Sequence, residues 1–180
     1  MTEERLDIID KINKDKYDDI TYDKMIILKD LFKDKDLIEL LNNKELEKID
    51  ASPEDYYNVN IFSFLKIPKT QSVVKNFVCF EVDDTEEIYG NNVMISKLVR
   101  FRLVSHEDDI ETEYGMNRHD LLALIIKDRF NWSNILGLQL KKIYDEGKVT
   151  ENDYYYREIW YKTITPNGLQ KGTTTNYMER

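Results

Sequence analysis

The stretch VMISKLVRFRLV, Val93 to Val104, decides how the rest of the chain is read. Side chains of an extended backbone alternate between two faces. Val93, Ile95, Val99, Phe101 and Leu103 therefore share one side, interrupted by Lys97, while Ser96, Arg100 and Arg102 share the other. This pattern predicts a long strand with one face turned to a core and a second, wetter face, as in an antiparallel sheet covered on one side.

The flanking segments extend that sheet. Upstream, VVKNFVCFEV (Val73 to Val82) places Val74, Val78, Phe80 and Val82 on one face and Val73, Phe77 and Cys79 on the other, so both faces are apolar. DDTEEIYGNN (Asp83 to Asn92) has the polar, Gly- and Asn-containing chemistry of a loop and would close a hairpin onto Val93. IFSFLKIP (Ile61 to Pro68) is a short extended piece ended by proline. Further upstream the periodicity turns helical. Thr2 would cap a helix bearing Leu6, Ile9 and Ile12, and Thr21 one whose stripe is Met25, Leu28, Leu31 and Phe32; short turns follow in DLIELLNN and NKELEKI, before Pro53.

Downstream, Gly115 permits a sharp turn, Asn117 suits an N-cap, and Asp120 completes a capping-box pattern. Leu121, Leu122, Leu124, Ile125, Ile126 and Phe130 then form a wide helical stripe. LQLKKIYD (Leu138 to Asp145), a polar turn and DYYYREIWYKTIT (Asp153 to Thr165) read as a second hairpin. The expected fold is α+β: an antiparallel sheet of four to five strands, covered on one face by helices, with a helical N-terminal segment. It is expected as a single domain: an acidic helical segment over 1–57, a core over 58–165 and a flexible tail over 166–180.

The 180 residues are 41% hydrophobic and 34% charged, enough apolar surface for a core. The net charge is −9, and residues 1–60 carry 17 Asp and Glu against 10 Lys and Arg. Such a surface repels phosphate and anionic lipid, which argues against a tight nucleic-acid or membrane ligand. The start, MTEERLDIIDK, is acidic where a secretory signal would be basic and then apolar, which suggests synthesis in a cytosol. The lone Cys79 fits a reduced core position.

Both histidines, His106 and His119, lie among carboxylates in VSHEDDIETEYGMNRHDLLALI. A metal-dependent enzyme using His106, Asp108, His119 and Asp120 is therefore one reading. It needs both imidazoles within about 2.1 Å of one ion, and their spacing matches no motif that enforces this. The simpler reading is a solvated acidic loop followed by a capped helix. Neither a phosphate-binding glycine loop nor a nucleophile beside a base is present, so no catalytic residue, metal or cofactor is expected.

The strand DYYYREIWYKTIT is aromatic on both sides. Tyr154, Tyr156, Trp160 and Ile164 share one face, and Tyr155, Ile159 and Tyr161 the other. A stacking platform for nucleic acid would need more cations than Arg157 and Lys162 supply. Self-association is the better cover, so Tyr154, Tyr155, Tyr156, Ile159, Trp160 and Tyr161 are the subunit-interface candidates, and replacing Trp160 and Tyr161 with Ser is expected to block assembly.

The element order, with KIPKTQ (Lys66 to Gln71), LVRFRLVSHED (Leu98 to Asp108) and YGMNRHDLLALIIKDRFN (Tyr114 to Asn131), resembles the tail-terminator and related neck proteins of tailed bacteriophages. Arg118, Asp120, Leu121 and Ile125 stand where those proteins carry a helix of the form R-x-D-L-x-x-x-I. The resemblance covers roughly residues 60 to 165, and the acidic N-terminal third departs from it. It implies a virion protein, assembled in the bacterial host cytoplasm, that forms a homo-oligomeric ring, most often a hexamer. Such a ring ends the tail tube or joins it to the head connector while genomic DNA passes through. A soluble monomeric adaptor or inhibitor is the remaining alternative.

Overall fold

A computed structural model describes residues 19–66, 75–89, 94–149 and 153–166. The expected Thr2-capped helix, Val73, Val74, most of KIPKTQ and the tail beyond Pro166 fall outside these residues. The architecture is α+β, as the alternation around Phe101 requires.

Strand β1 is Ile61–Phe62, β2 is Asn76–Tyr89, β3 is Met94–His106, β4 is Lys141–Val149 and β5 is Tyr154–Pro166. They form one sheet in the order β1-β2-β3-β5-β4. Pairing is antiparallel except at the two-residue edge strand β1, which runs parallel to β2. Helices α1 (Asp19–Leu31), α2 (Lys35–Leu40), α3 (Lys44–Lys48) and α4 (Arg118–Phe130) complete the described fold. Among the described residues no helix is long and apolar enough to cross a membrane.

Register explains the core. Phe101 lies opposite Phe80 in β2 and Ile159 in β5, while Val99 lies opposite Val82 and Tyr161. These side chains meet Ile27 and Leu31 of α1, Leu37 of α2, and Leu122, Ile126 and Phe130 of α4. Phe101 is at the centre, 4.8 Å from the Phe130 ring and edge-on to Tyr161 at 6.0 Å. Burying one such ring contributes about 2–3 kcal/mol. The opposite face carries only a small cluster at one end: Phe62, Phe77, Cys79, Val104 and Tyr154.

Lys97, which breaks the apolar face of β3, is 2% exposed and paired with Asp23 of α1, itself 7% exposed. The pair corrects the reading of α1. Asp23, Ile27 and Leu31 are its buried positions, with Ile20, Leu28 and Phe32 half-buried against the same core, so of the expected stripe Leu31 is fully inside and Met25, Leu28 and Phe32 are only half-buried. Asp23 was missed because a carboxylate reads as a surface residue. Thr21 lies inside α1 and does not cap it.

Other boundaries moved for local reasons. β2 runs on to Tyr89 through the acidic stretch read as a loop, with a register shift between Thr85 and Ile88. The Thr85 hydroxyl donates to the Ser96 carbonyl at 3.1 Å, and polar side chains on an open edge do not oppose pairing. β4 starts at Lys141 and continues through Gly147 to Val149. Leu140 instead plugs the core, held by backbone bonds of 2.8 Å to Ser133 and Trp132. Within α4, Leu124 is 45% exposed, and Ala123 and His119 are buried in its place.

Candidate functional site

Six hairpin residues were candidates for a subunit interface, and β5 divides them. Tyr154, Ile159 and Tyr161 are at most 1% exposed and belong to the chain's own core. Tyr161 packs on Phe101 and its hydroxyl reaches the Ile126 carbonyl at 3.5 Å; burial, then the nearby Asp145 carboxylate, pushes its phenol upward. These three are therefore not available as contact residues without unfolding, because the sheet's helix side claims Ile159 and Tyr161 and the end cluster claims Tyr154. Tyr155, Tyr156 and Trp160 remain half-buried.

Two of these, Tyr156 and Trp160, lie on the sheet face away from the helices. Trp160 stacks on Tyr144 of β4 at 4.6 Å, and Arg102 lies over the Tyr156 ring at 5.0 Å. Rows of charge run between them across the strands. Arg102 donates to Glu158 at 2.5 and 2.8 Å, and Lys148 approaches Glu158 at 3.8 Å and Glu146 at 3.3 Å. Arg100 bridges Glu81 at 2.9 Å and Asp83 at 2.5 Å. No described element covers this middle region. The indole N–H of Trp160 has no hydrogen-bond partner among the described residues.

β4 forms the outer edge of the sheet, and seven of its nine residues are exposed. Its pairing with β5 shifts register between Lys142 and Tyr144, leaving Ile143 outside the ladder and 54% exposed. With Leu138 at 50% exposure, Lys141, Lys162 and Ile164, it lines an open cleft of about 630 Å³.

The acidic run after β3 is less solvated than its composition suggests. The Asp109 carboxylate accepts from Asn42 at 2.8 and 2.9 Å, from Asn76 at 2.6 Å and from Arg118 at 3.2 Å. Arg118 also donates through Nε to the Asp109 carbonyl at 2.8 Å and through Nη1 to the Leu40 carbonyl at 3.2 Å. One carboxylate thus ties the turn between α2 and α3, β2 and α4 together. Asn117 occupies the N-cap position without a side-chain capping bond. Asp120, expected to complete that cap, binds Arg157 of β5 at 2.8 Å instead.

The histidines do not converge. His106 meets Tyr154 edge-on at 4.7 Å, and its Nδ1 accepts from the Asp108 N–H at 3.1 Å. His119 stacks on Tyr155 at 6.4 Å. Successive residues of a strand point to opposite faces, so the sheet separates the two rings. His119 is buried rather than solvated; burial lowers its pKa, Asp120 opposes the shift and Arg157 adds to it. Among the described residues no group of three or more metal-ligating side chains gathers.

A second cleft, of about 700 Å³, opens between α2–α3 and the first two turns of α4. Leu40, Leu121, Leu124 and Ile125 form its apolar floor, and its rim carries Asp36, Glu39, Glu47, Glu111 and Glu113 with two cations, Lys44, paired with Glu47 at 3.0 Å, and Arg118, committed to Asp109. Tyr114, 64% exposed, stands at its mouth, its phenol pushed up first by Glu113 and then by Glu39 and Asp36. Neither this groove nor the bulged edge was foreseen. The exposed Leu124 signalled the first and the odd register of β4 the second, and both need the fold to be seen.

Strands β1 to β4, most of β5, the Asp109 anchor and α4 fall within residues 34–163, which the YomW family model matches. The chain belongs to the YomW family. That family name is phage-associated and points to a phage-related protein. No curated protein matches the chain. Both clefts fall largely or wholly inside the YomW stretch, whereas α1, which supplies Asp23, precedes it.

Proposed function

We propose that this YomW-family chain is a structural virion protein of a phage head–tail junction. It acts by assembling into a ring that ends the tail tube or joins it to the head connector, and it carries out no catalysis. The observation that supports this reading most is the β4–β5 hairpin, an unpaired edge strand backed by a half-buried Tyr144–Trp160 stack with no described element over it. Lys141, Lys142, Lys148 and the bulge at Ile143 discourage further strand pairing at this edge, so the support comes from the uncovered side chains of the hairpin and not from backbone bonds at its rim. The net charge of −9 suits a ring through which DNA slides without sticking. A single-ion enzyme site gains no support from two imidazoles on opposite faces of a sheet.

The test is particle incorporation. Replacing Tyr161 is unsuitable because its ring is core, so the variant is Tyr156→Ser with Trp160→Ser, supplied in trans to a phage lacking the gene. Loss of the protein from purified particles, with soluble folded protein in the lysate, is the expected result. Normal tailed particles carrying both changes would refute the reading.

A further inference from the structure

The two clefts differ in a way that makes them complementary. The groove beside α4 is net acidic around an apolar floor: five carboxylates line it against Lys44 and Arg118, which are already paired with Glu47 and Asp109, and Leu124 is 45% exposed. The cleft at the start of β4 is lined by the cations Lys141 and Lys162 and by the exposed Leu138 and Ile143, with no carboxylate in its lining. They share no residue. The groove flanks the first turns of α4, whereas the edge cleft lies beyond its last turn, and a helix of 13 residues spans about 20 Å.

We propose that copies of this chain bind head-to-tail, the bulged Lys141–Ile143 edge of one copy seating in the acidic groove of the next; this rests on the assembly reading above and names the surfaces that carry it. Ile143 and Leu138 meet Leu124 and Ile125, and Lys141 meets the Glu39 and Glu113 side of the rim. The register shift matters here, because it frees Ile143 from the β5 ladder. Because the two patches are different, each copy keeps one of each after pairing. Such a heterologous contact propagates until it closes a ring. Charge sets the register of approach, and the apolar centre holds it.

The experiment uses full-length protein and measures mass in solution over a rising concentration series. One variant blocks the groove (Tyr114→Asp with Leu124→Asp) and another blocks the edge (Leu138→Asp with Ile143→Asp). The wild type should form a closed oligomer and each variant alone should be monomeric. Their equimolar mixture should give a dimer and nothing larger, since only one productive contact is left. A milder pair, Glu39→Gln with Glu113→Gln, should weaken self-association about tenfold without affecting folding. A monomeric wild type, variants that assemble normally, or a mixture that stays monomeric while both variants unfold cooperatively would each overturn the contact. If the contact fails but particles still need Tyr156 and Trp160, the assembly reading stands with other surfaces. If the contact holds and particles ignore those two residues, the ring stands and only the role given to the open face of the hairpin falls.

Discussion

Removing the Asp23 carboxylate should unpin α1 from the sheet. Its side chain is 9% exposed and that of Lys97 is 3% exposed, so Asp23→Ala leaves an ammonium group between helix and sheet with water nearly excluded. Breaking a buried pair from one side costs about 3–5 kcal/mol, because the surviving charge keeps its desolvation penalty. For a chain of 180 residues each kcal/mol lowers the midpoint by about 2–4 °C, so a fall of about 6–20 °C is expected. Removing both charges relieves most of that. Asp23→Leu with Lys97→Met should sit within about 1–2 kcal/mol of the wild type, since an apolar pair of similar volume can replace a buried ion pair at little cost. Urea unfolding of the three proteins at neutral pH makes the comparison. A loss under about 1 kcal/mol for Asp23→Ala, or a double variant no better than it, would refute the claim that Lys97 depends on this partner.

Three further outcomes follow from other buried groups. His119 has a lowered pKa, so it stays neutral in the fold while the unfolded chain protonates first; its contribution is complete above the ordinary value of 6.5 and declines as pH falls through it. His119→Phe, which preserves the stack on Tyr155, should flatten the loss of stability between about pH 7 and 5, measured as urea midpoints. Asp145 is held down to about 2 despite burial, which raises it, because Arg157, Lys142 and Lys127 outweigh that cost. Its stabilising effect is present above its ordinary value of 3.8 and fades as pH drops toward 2, and Asp145→Asn should cost about 1 kcal/mol at neutral pH and abolish that acid-side loss. Burial pushes the Cys79 thiol up to about 11. Its reaction with a thiol reagent at pH 8 should therefore track global unfolding and accelerate only in denaturant, and fast labelling of the native protein would contradict its place in the end cluster.

Much of the architecture was legible because β3 alternates so plainly. Val99, Phe101 and Leu103 on one face and Arg100 and Arg102 on the other fix both the sheet and the side its helices cover. Asn117 likewise marked the start of α4. What stayed hidden depends on partners distant in sequence. Asp23 reads as a surface residue until Lys97 is placed opposite it, and Asp109 is indistinguishable from its acidic neighbours until Asn42, Asn76 and Arg118 surround it. The hairpin aromatics fail for another reason. Local pattern assigns Tyr155, Tyr156 and Tyr161 to faces but not to depth, and depth is set by α4 lying over Tyr161 while the middle of the other face is left open. Of the candidate site, the hairpin could be named from sequence. Its bulge at Ile143 and the groove lined by Leu124 could not, because neither has a local signature.

The strand order has a bearing on synthesis. β3, at the middle of the sheet, finds its second neighbour in β5, with Met94 opposite Pro166 and His106 opposite Tyr154. At about 5–20 residues per second, a ribosome needs several seconds to deliver β5 after β3 has emerged. During that interval Phe101 has Phe80 beside it but neither Ile159 nor Tyr161, and the open flank of β3 is a template for mispairing. Nascent chains should therefore stay protease-sensitive until residue 166 has cleared the exit tunnel, and crowding many of them on one message would favour aggregation over assembly.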